Sequence, residues 1–307
     1  MKFGLTIPGT TLMPGGNEPW AATATPEDML RVARKADELG FDWIAVPEHI
    51  VMLQPMVEVM GARFPHAVTT LAFFAGATKK IRLVNGVVVI GYHNPVELAK
   101  MFATLDFLSG GRVIVGLGVG YLRREFAILK ADHAGRGAIA DEYIDAMIEL
   151  WTSDTPTFQG EHVSFERIAF EPKPAQKPHP PIWIGGHSRP SMRRAARIGD
   201  GWWPWQITRA ELPARLEYIR QQPGLRDRPR PFDVVMPLYE SKVDDRHNVI
   251  EPARIATTRD GVLDDVGRLK EAGATGASLA FKPSRDVNEF AESLEWFAQE
   301  VFPEAKR

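Results

Sequence analysis

The sequence predicts a single (β/α)8 barrel, and three observations lead to that prediction. Eight short apolar segments alternate with segments that carry helix-start signals and apolar residues at helical spacing. Apolar strands joined by helices are typical of a parallel sheet that is covered on both faces. The length of 307 residues suits one such barrel, and no internal repeat or low-complexity segment competes with it. Residues 1–307 are therefore predicted to form one domain.

The predicted elements follow one another in a regular order. The strands cover residues 2–7, 43–46, 81–90, 113–117, 181–184, 201–203, 232–238 and 277–281. Caps and stops locate the helices: Thr25 caps the first helix and Gly40 ends it, while Asn94 caps the helix after the third strand and Gly110 follows its end. Further helices are predicted at about residues 67–78, from 122, 139–151, from 190, 210–221, 261–272 and 287–301.

Two long loops and one insertion depart from this alternation. The loops follow the first and second strands and cover residues 9–24 and about 50–66. Between about residues 153 and 181 the helical periodicity disappears and prolines accumulate, which predicts a short hairpin and an extended insertion rather than a linker. Long loops of a compact domain are usually functional, so we expect these segments to shape a substrate pocket.

Composition excludes several classes of partner and site. The formal net charge is −2 without a block of like charge, which argues against nucleic acid and against an anionic membrane surface. The absence of cysteine excludes disulfides, thiolate metal sites and cysteine nucleophiles. Met1 leads directly into the first strand, and no apolar run reaches membrane-spanning length. We therefore expect a cytoplasmic protein that acts on a small molecule.

Four groups of residues follow predicted strands and are expected to meet at one mouth of the barrel. They are Glu48-His49 and residues 85–92, 116–124 and 185–189. Ligands of such barrels lie at the carboxyl ends of the strands, so this shared placement predicts the active site. Metal binding is the usual rival, but His49, His93 and His187 stand on separate segments without a nearby run of aspartates. No metal site is predicted.

The glycine-rich segment 116–121 has three interpretations. A dinucleotide-binding fingerprint would require a small residue where Tyr121 stands and a position in the first βα turn. The glycines could instead serve only tight packing at the barrel rim. We favour a third interpretation, in which Gly116, Gly118 and Gly120 allow the backbone to approach a flat ring.

Two further backbone features point to a ligand. Gly185 and Gly186 stand between a strand and a helix N-terminus, where amides and the helix dipole favour an anion, and Ser188 and Arg189 add groups suited to phosphate. Asn85-Gly86 interrupts the third strand, and a glycine inside a strand often marks a bulge or a close approach to a ligand.

Three tryptophans, Trp202, Trp203 and Trp205, cluster beside the sixth predicted strand. They could belong to the core, to a substrate wall or to a dimer surface. Aromatic residues at this density usually pack in the core and at its rim.

The segments NGVVVIGYHNPVELAK and ATLDFLSGGRVIVGLGVGYLRREF, together with KFGLTIP, PEH and PPIWIGGHSRPSMRRAARIGDGWW, carry a family resemblance. The chain resembles the luciferase-like flavin and deazaflavin oxidoreductases, particularly the branch that uses the 5-deazaflavin coenzyme F420. The match runs nearly end to end and weakens after about residue 205. It implies the barrel fold, a non-prolyl cis peptide at Gly86-Val87, and an acid and histidine pair, Glu48 and His49, that faces the reactive ring.

The resemblance also implies where the coenzyme lies. The expected coenzyme contacts are Asn85, Gly86, Val87, Val89, Gly118, Gly120, Tyr121, Arg124, Gly185, Gly186, Ser188 and Arg189. Two positions depart from the family pattern. Tyr121 stands where sugar-phosphate dehydrogenases of the group carry an acid, which argues against their substrate, and Arg124 replaces an asparagine or similar residue.

The resulting functional hypothesis is hydride transfer between C5 of F420 and a small, fairly apolar substrate, with His49 as proton donor or acceptor. His49 could also be purely structural, as many histidines are. The alternatives are a monooxygenase that uses reduced flavin mononucleotide (FMN) and a flavin-binding protein without activity. Luciferase-like barrels usually pair through outer helices, so the resemblance also predicts a homodimer.

Overall fold

The chain forms a closed barrel of parallel strands with helices around it, as the sequence predicts. The computed structural model describes residues 1–12, 18–225, 230–243, 249–251 and 253–306; residues 13–17 of the first long loop lie outside these ranges. The strands are β1 (Lys2–Thr6), β2 (Trp43–Val46), β3 (Arg82–Asn85), β4 (Val88–Val89), β5 (Val113–Gly118), β6 (Phe158–Gln159), β7 (Ser164–Phe165), β8 (Ile182–Gly185), β9 (Gly201–Trp203), β10 (Asp233–Pro237), β11 (Lys242–Val243), β12 (Val249–Glu251) and β13 (Gly276–Leu279).

The third predicted strand is divided into two short strands, β3 and β4, which together take the place of one strand of the barrel. The order of strands is β3-β2-β1-β13-β10-β9-β8-β5-β4, and pairing of β3 with β5 closes the circle. The peptide bond between Gly86 and Val87, where the strand divides, is cis. The interruption and the cis bond that the resemblance implies are both confirmed.

Helices cover the outside of the barrel. They are α1 (Pro26–Leu39), α2 (Gln54–Met60), α3 (Ala67–Ala77), α4 (Pro95–Ser109), α5 (Arg123–Ile128), α6 (Arg136–Thr152), α7 (Arg189–Ile198), α8 (Leu212–Arg220), α9 (Arg259–Glu271), α10 (Val287–Glu300) and α11 (Phe302–Ala305). The predicted caps are present: the Thr25 hydroxyl accepts from the Asp28 amide, and Asn94 accepts from two amides of α4. Within the described ranges no helix is both long and apolar enough to cross a membrane.

The observed elements differ from the predicted ones in several places, most of them by one or two residues at an end. The loop after β2 contains a helix, α2, which has a proline in its first turn and Gly61 at its end. Helix α6 begins at Arg136, three residues before the predicted start. The last strand ends at Leu279 although the apolar run continues to Phe281. Apolar character marks burial, and only the pairing of strands decides where a strand ends.

Tryptophans facing glycines fill the inside of the barrel. The rings of Trp43 and Trp183 meet edge to face at 5.4 Å, and those of Trp183 and Trp203 at 5.8 Å. A Cβ on Gly4 would lie 2.2 Å from the indole of Trp43, and a Cβ on Gly201 would lie 2.5 Å from that of Trp183. Each large ring therefore occupies space that a glycine on a neighbouring strand leaves open.

The three clustered tryptophans of the sequence occupy different environments. Trp202 is buried in the layer between strands and helices, and its Nε1 donates to the carbonyl of Gly186 at 2.7 Å. Trp203 points into the barrel, and Trp205 is 53% exposed. The alternation of side chains along β9 explains the first two, because neighbouring residues of a strand point to opposite faces.

The insertion predicted between about residues 153 and 181 contains the short hairpin β6-β7, and its last part docks on the base of the barrel. Asp106 of α4 is fully buried and accepts from the backbone amide of Gln176 at 2.9 Å, from its side-chain amide at 2.7 Å and from the Val113 amide at 3.2 Å. One carboxylate therefore joins α4, β5 and the insertion.

Asp106→Ala is expected to lower the free energy of unfolding by about 2 kcal/mol, because it leaves buried amide donors without an acceptor. Chemical denaturation followed by circular dichroism measures this loss. Asp145→Ala, at an exposed aspartate paired with Arg197, is the matched control and should change stability by less than about 0.5 kcal/mol. Equal stability of the two variants would contradict the role of Asp106.

Candidate active site

A buried pair formed by His49 and Glu125 lies at the carboxyl ends of β2 and β5. Nδ1 of His49 is 2.9 Å from Oε2 of Glu125; the histidine side chain is 10% exposed and the glutamate side chain is fully buried. His49 follows β2, and Glu125 lies in the first turn of α5. The barrel brings together two residues that are 76 positions apart.

Further donors complete the environment of Glu125. The amides of Ile50 and Val51 donate to its Oε1 at 2.7 and 3.2 Å, and the hydroxyl of Tyr92 donates to its Oε2 at 3.0 Å. Burial acts to raise the pKa of Glu125, but the hydrogen bond and charge of His49, with the two amides, hold it below its usual value. Burial, followed by the charge of Glu125, raises the pKa of Tyr92. The site therefore holds an ionised carboxylate beside a protonated phenol.

Apolar side chains surround His49. Its ring meets Phe64 edge to face at 4.8 Å and Tyr121 at 6.2 Å. The hydroxyl of Tyr121 is 3.5 Å from the sulfur of Met60. Burial, and then the charge of Glu125, raises the pKa of Tyr121 to about 12, so this phenol is neutral at pH 7. Tyr121 thus lies beside His49, and both residues are at the barrel mouth where the sequence placed them.

Glu48 points away from His49 and forms a second buried pair. Its Oε2 accepts from the amide of Val89 at 2.8 Å, and its Oε1 is 3.0 Å from Nε2 of His93. Only 4% of Glu48 is exposed. Both carboxylate oxygens are engaged by the β4 segment, so the structure shows Glu48 and His49 in separate networks. A direct catalytic role for Glu48 stays a prediction.

Asn85, at the end of β3, joins two neighbouring strands. Its side-chain amide donates to the carbonyl of Gly116, and its side-chain oxygen accepts from the amide of Gly116 at 3.1 Å. The residue is fully buried. Both ends of the side chain are therefore used within the barrel, and the coenzyme contact expected of Asn85 stays a prediction.

The glycines of the mouth make room for two valines. A Cβ on Gly118 would lie 2.7 Å from Val87, one on Gly185 would lie 3.0 Å from Val87, and one on Gly120 would lie 2.6 Å from Val89. The space that Val87 and Val89 occupy is enough to explain why these positions are glycine. This supports the interpretation that the glycines of segment 116–121 serve packing at the barrel rim. Contacts of these five residues with a coenzyme stay predictions.

Gly86 also faces protein. A Cβ on this residue would lie 2.8 Å from the ring of Trp203 inside the barrel. The absence of a side chain at Gly86 thus serves the packing of an indole, and the coenzyme contact expected of this residue is untested.

The loop at residues 185–189 lies between β8 and α7 as predicted, but one of its amides and one of its hydroxyl oxygens already have partners within the protein. Gly186 has φ +93°, which favours glycine, and its amide donates to the carbonyl of Trp203 at 3.2 Å. The Ser188 hydroxyl caps α7 by accepting from the amide of Ser191. The guanidinium of Arg189 lies 5.6 Å from the ring centroid of Tyr218. A phosphate contact by Gly185, Gly186, Ser188 or Arg189 is a prediction that the geometry leaves untested.

Sequence reasoning missed three residues of the site. Glu125 stands in the predicted start of a helix, where a glutamate is ordinary. Tyr92 ends the predicted group 85–92 without a role of its own, and His93 was considered only as a metal ligand. Arg124, beside Glu125, is exposed, and its expected coenzyme contact is untested. Across the described residues no group of three or more histidine, aspartate or glutamate side chains is arranged to hold a metal ion.

Comparison with known proteins assigns the family. Residues 1–286 match the family model of the luciferase-like monooxygenases. An uncharacterized protein of Mycobacterium tuberculosis is 34% identical over 183 residues, which cover 55% of this chain and 64% of that relative. The match thus spans less than two thirds of the length of this relative.

Two relatives are named for activities that depend on different coenzymes. An F420-dependent glucose-6-phosphate dehydrogenase of Nakamurella multipartita is 30% identical over 240 residues, 75% of this chain and 68% of that protein. An FMNH2-dependent dimethylsulfone monooxygenase of Pseudomonas putida is 33% identical over 168 residues, 52% of this chain and 45% of that protein.

A solved structure extends the similarity over the whole barrel. The monooxygenase RslO1 from Streptomyces bottropensis superimposes with a TM-score of 0.79 at 25% identity, and the alignment covers 99% of both chains. With a family model that matches residues 1–286 and a barrel shared with a solved structure, the chain belongs to the luciferase-like monooxygenase family.

Proposed function

We propose that the chain is an F420-dependent oxidoreductase that transfers a hydride between C5 of the deazaflavin and a small, fairly apolar substrate. The observation that carries this proposal is the His49 and Glu125 pair at the carboxyl end of β2. A histidine held by a buried carboxylate beside apolar side chains is suited to take and return one proton. Family membership supports redox chemistry with a flavin-type coenzyme.

One buried polar atom at the mouth fits the binding of such a coenzyme. Nδ1 of His187, in the loop before α7, is buried and has no hydrogen-bond partner. A buried polar atom without a partner costs free energy, and a bound polar group beside it would remove that cost. We propose that the loop of residues 185–189 holds the phosphate of the coenzyme.

The protein supplies proton transfer and exclusion of water. When bound, F420 supplies the carbon that accepts or donates the hydride. In the oxidising direction Nε2 of His49 takes the proton of a substrate hydroxyl; in the reducing direction it returns a proton to the substrate oxygen. Phe64 and Tyr121 contact the ring of His49, and the Tyr121 hydroxyl contacts the sulfur of Met60, so we expect these side chains to limit the access of water to the ring. Glu48 contributes by fixing the β4 segment through Val89 and His93.

The coenzyme preference is a testable prediction. The F420-dependent relative aligns with 75% of this chain and the FMNH2-dependent one with 52%, and the exposed Arg123 and Arg124 suit an anionic tail. We expect the purified full chain to bind F420 at least about tenfold more tightly than FMN in fluorescence titrations. The ratio of the affinity for F420 to the affinity for FMN should fall as the salt concentration rises, because salt screens exposed charges.

Equal or reversed affinities would overturn the F420 proposal and favour the FMN-dependent monooxygenase. Tight F420 binding without turnover of any alcohol, ketone or enone in a broad panel would favour the binding protein without activity.

The substrate proposal rests on the side chains exposed around the mouth. Ile50 is 37% exposed, Tyr121 42% and Trp205 53%, and each follows a barrel strand. Tyr121 also stands where related sugar-phosphate dehydrogenases are expected to carry an acid. An apolar alcohol or carbonyl compound therefore suits this mouth better than a sugar phosphate.

A homodimer is proposed from adjacent apolar helices. Phe73 of α3 and Phe107 and Leu108 of α4 are 45%, 56% and 73% exposed. Large exposed apolar groups on neighbouring helices suit a two-fold interface. Analytical ultracentrifugation should show a dimer that Leu108→Glu weakens, whereas Ile128→Glu, at an exposed apolar residue of α5, should leave it intact. A monomeric wild-type protein at micromolar concentration would contradict this proposal.

A further inference from the structure

The donor and the acceptor of each hydrogen bond to Glu125 can be assigned from the chemistry of its neighbours. Backbone amides only donate, so Oε1 of Glu125 is the acceptor for Ile50 and Val51. Oε2 faces the Tyr92 hydroxyl at 3.0 Å and His49 Nδ1 at 2.9 Å. An ionised carboxylate has no hydrogen to give, so both of these neighbours must donate to it.

We propose that Glu125 is a positioning residue that fixes His49 as the Nδ1–H tautomer, so that Nε2 is the nitrogen that exchanges a proton with the substrate. The assignment of a proton-transfer role to Nε2 rests on the function proposed above. The tautomer itself follows from the contacts of Glu125 alone.

The charge state of the network supports this assignment. The hydrogen bond from His49 and the two amides outweigh burial and lower the pKa of Glu125, so the carboxylate stays ionised around neutral pH. The pKa of Tyr92 is raised, first by burial and then by Glu125, so its phenol keeps the proton that it donates. Donors on both oxygens also hold the carboxylate plane, which leaves Glu125 no free rotation.

A buried carboxylate at this distance has a second effect. When Nε2 takes a proton, the positive charge of the imidazolium faces Glu125 at 2.9 Å in a site where the glutamate is fully buried. The phenols of Tyr92, which contacts Glu125, and of Tyr121, which contacts the ring of His49, are neutral and carry no charge that competes with Glu125. Glu125 is therefore the charge that stabilises the protonated ring.

His93 provides an internal reference with the opposite geometry. Its Nε2 lies 3.0 Å from Oε1 of Glu48, whose other oxygen accepts from the amide of Val89. The same reasoning assigns His93 to the Nε2–H tautomer. One spectrum should thus contain two buried histidines held by glutamates in opposite tautomers.

The test is 15N NMR of histidine-labelled full-length protein, in which two-bond proton–nitrogen correlations distinguish the tautomers. Spectra of His49→Gln and His93→Gln assign the two signals. We expect wild-type His49 as Nδ1–H and His93 as Nε2–H. In Glu125→Gln the side-chain oxygen still accepts from the two backbone amides, so the NH2 group faces Nδ1. His49 should then change to Nε2–H, while His93 stays unchanged.

The catalytic consequence is measured separately. With Nε2 already protonated, His49 cannot accept the substrate proton, so Glu125→Gln should lower kcat in the oxidising direction at least about a hundredfold with little change in the KM for coenzyme, as loss of the tautomer-fixing carboxylate does in serine proteases. The proposal is overturned if wild-type His49 is the Nε2–H tautomer, a result that does not depend on the folding of Glu125→Gln, or if His49 keeps Nδ1–H in Glu125→Gln. A changed tautomer with unchanged kcat would support the positioning by Glu125 and overturn proton transfer by His49.

Discussion

His49→Ala is expected to lower turnover by about a hundredfold or more, because the variant loses the group that exchanges a proton with the substrate. The affinity for the coenzyme should stay nearly unchanged, since His49 lies against Phe64, Tyr121 and Glu125 and not in the loop proposed to hold the phosphate. Steady-state rates and fluorescence titration measure the two quantities. The pattern of lost turnover with retained binding separates a chemical role from a general loss of structure.

Two further variants test whether the loss of turnover in His49→Ala comes from the loss of proton transfer. His49→Gln keeps a side-chain donor for Glu125 and part of the volume of the ring, so a loss of turnover as large as that of alanine assigns the effect to proton transfer. His162→Ala changes an exposed histidine on the hairpin of the insertion and should leave turnover unchanged. Unchanged turnover in both His49 variants would show that this histidine is structural.

Gly4→Ala is expected to destabilise the barrel by about 3 kcal/mol or more, since overpacking a closed core forces large rings from their positions. The added methyl carbon would lie 2.2 Å from ring atoms of Trp43, which is 1% exposed. This indole cannot move aside freely, because it also lies 2.9 Å from where a Cβ on Gly276 would be and meets the ring of Trp183. Thermal unfolding followed by circular dichroism should show a large fall in Tm.

A glycine-to-alanine substitution on an outer helix is expected to raise the stability of the protein instead of lowering it. Gly267 lies in α9, and a Cβ at this position meets nothing within 4 Å. Gly267→Ala should therefore raise stability by about 0.5–1 kcal/mol through the better helix propensity of alanine. Adding Trp43→Leu to Gly4→Ala should recover part of the lost stability. A wild-type Tm for Gly4→Ala would contradict the packing of tryptophans against glycines.

The sequence by itself determined the order of the barrel strands and of the main helices, and most of their ends to within about two residues. Caps such as Thr25 and Asn94 act within one turn of helix, and apolar periodicity reflects burial of one continuous segment, so both can be read locally. Resemblance to the luciferase-like family added the cis peptide at Gly86-Val87, and the family itself is confirmed. His49 was placed at the barrel mouth because it follows a strand.

Only the tertiary structure decided what these residues contact. His49 and Glu125 are 76 positions apart, and Glu48 and His93 are 45 apart, so each pair forms only when the barrel closes. The family resemblance implied that Glu48 and His49 act as a pair, but adjacent residues at the end of a strand point in different directions. The amide of Gly186 is likewise used by Trp203, whose strand lies beside β8. Partners across a barrel depend on strand order and register, which no local pattern specifies.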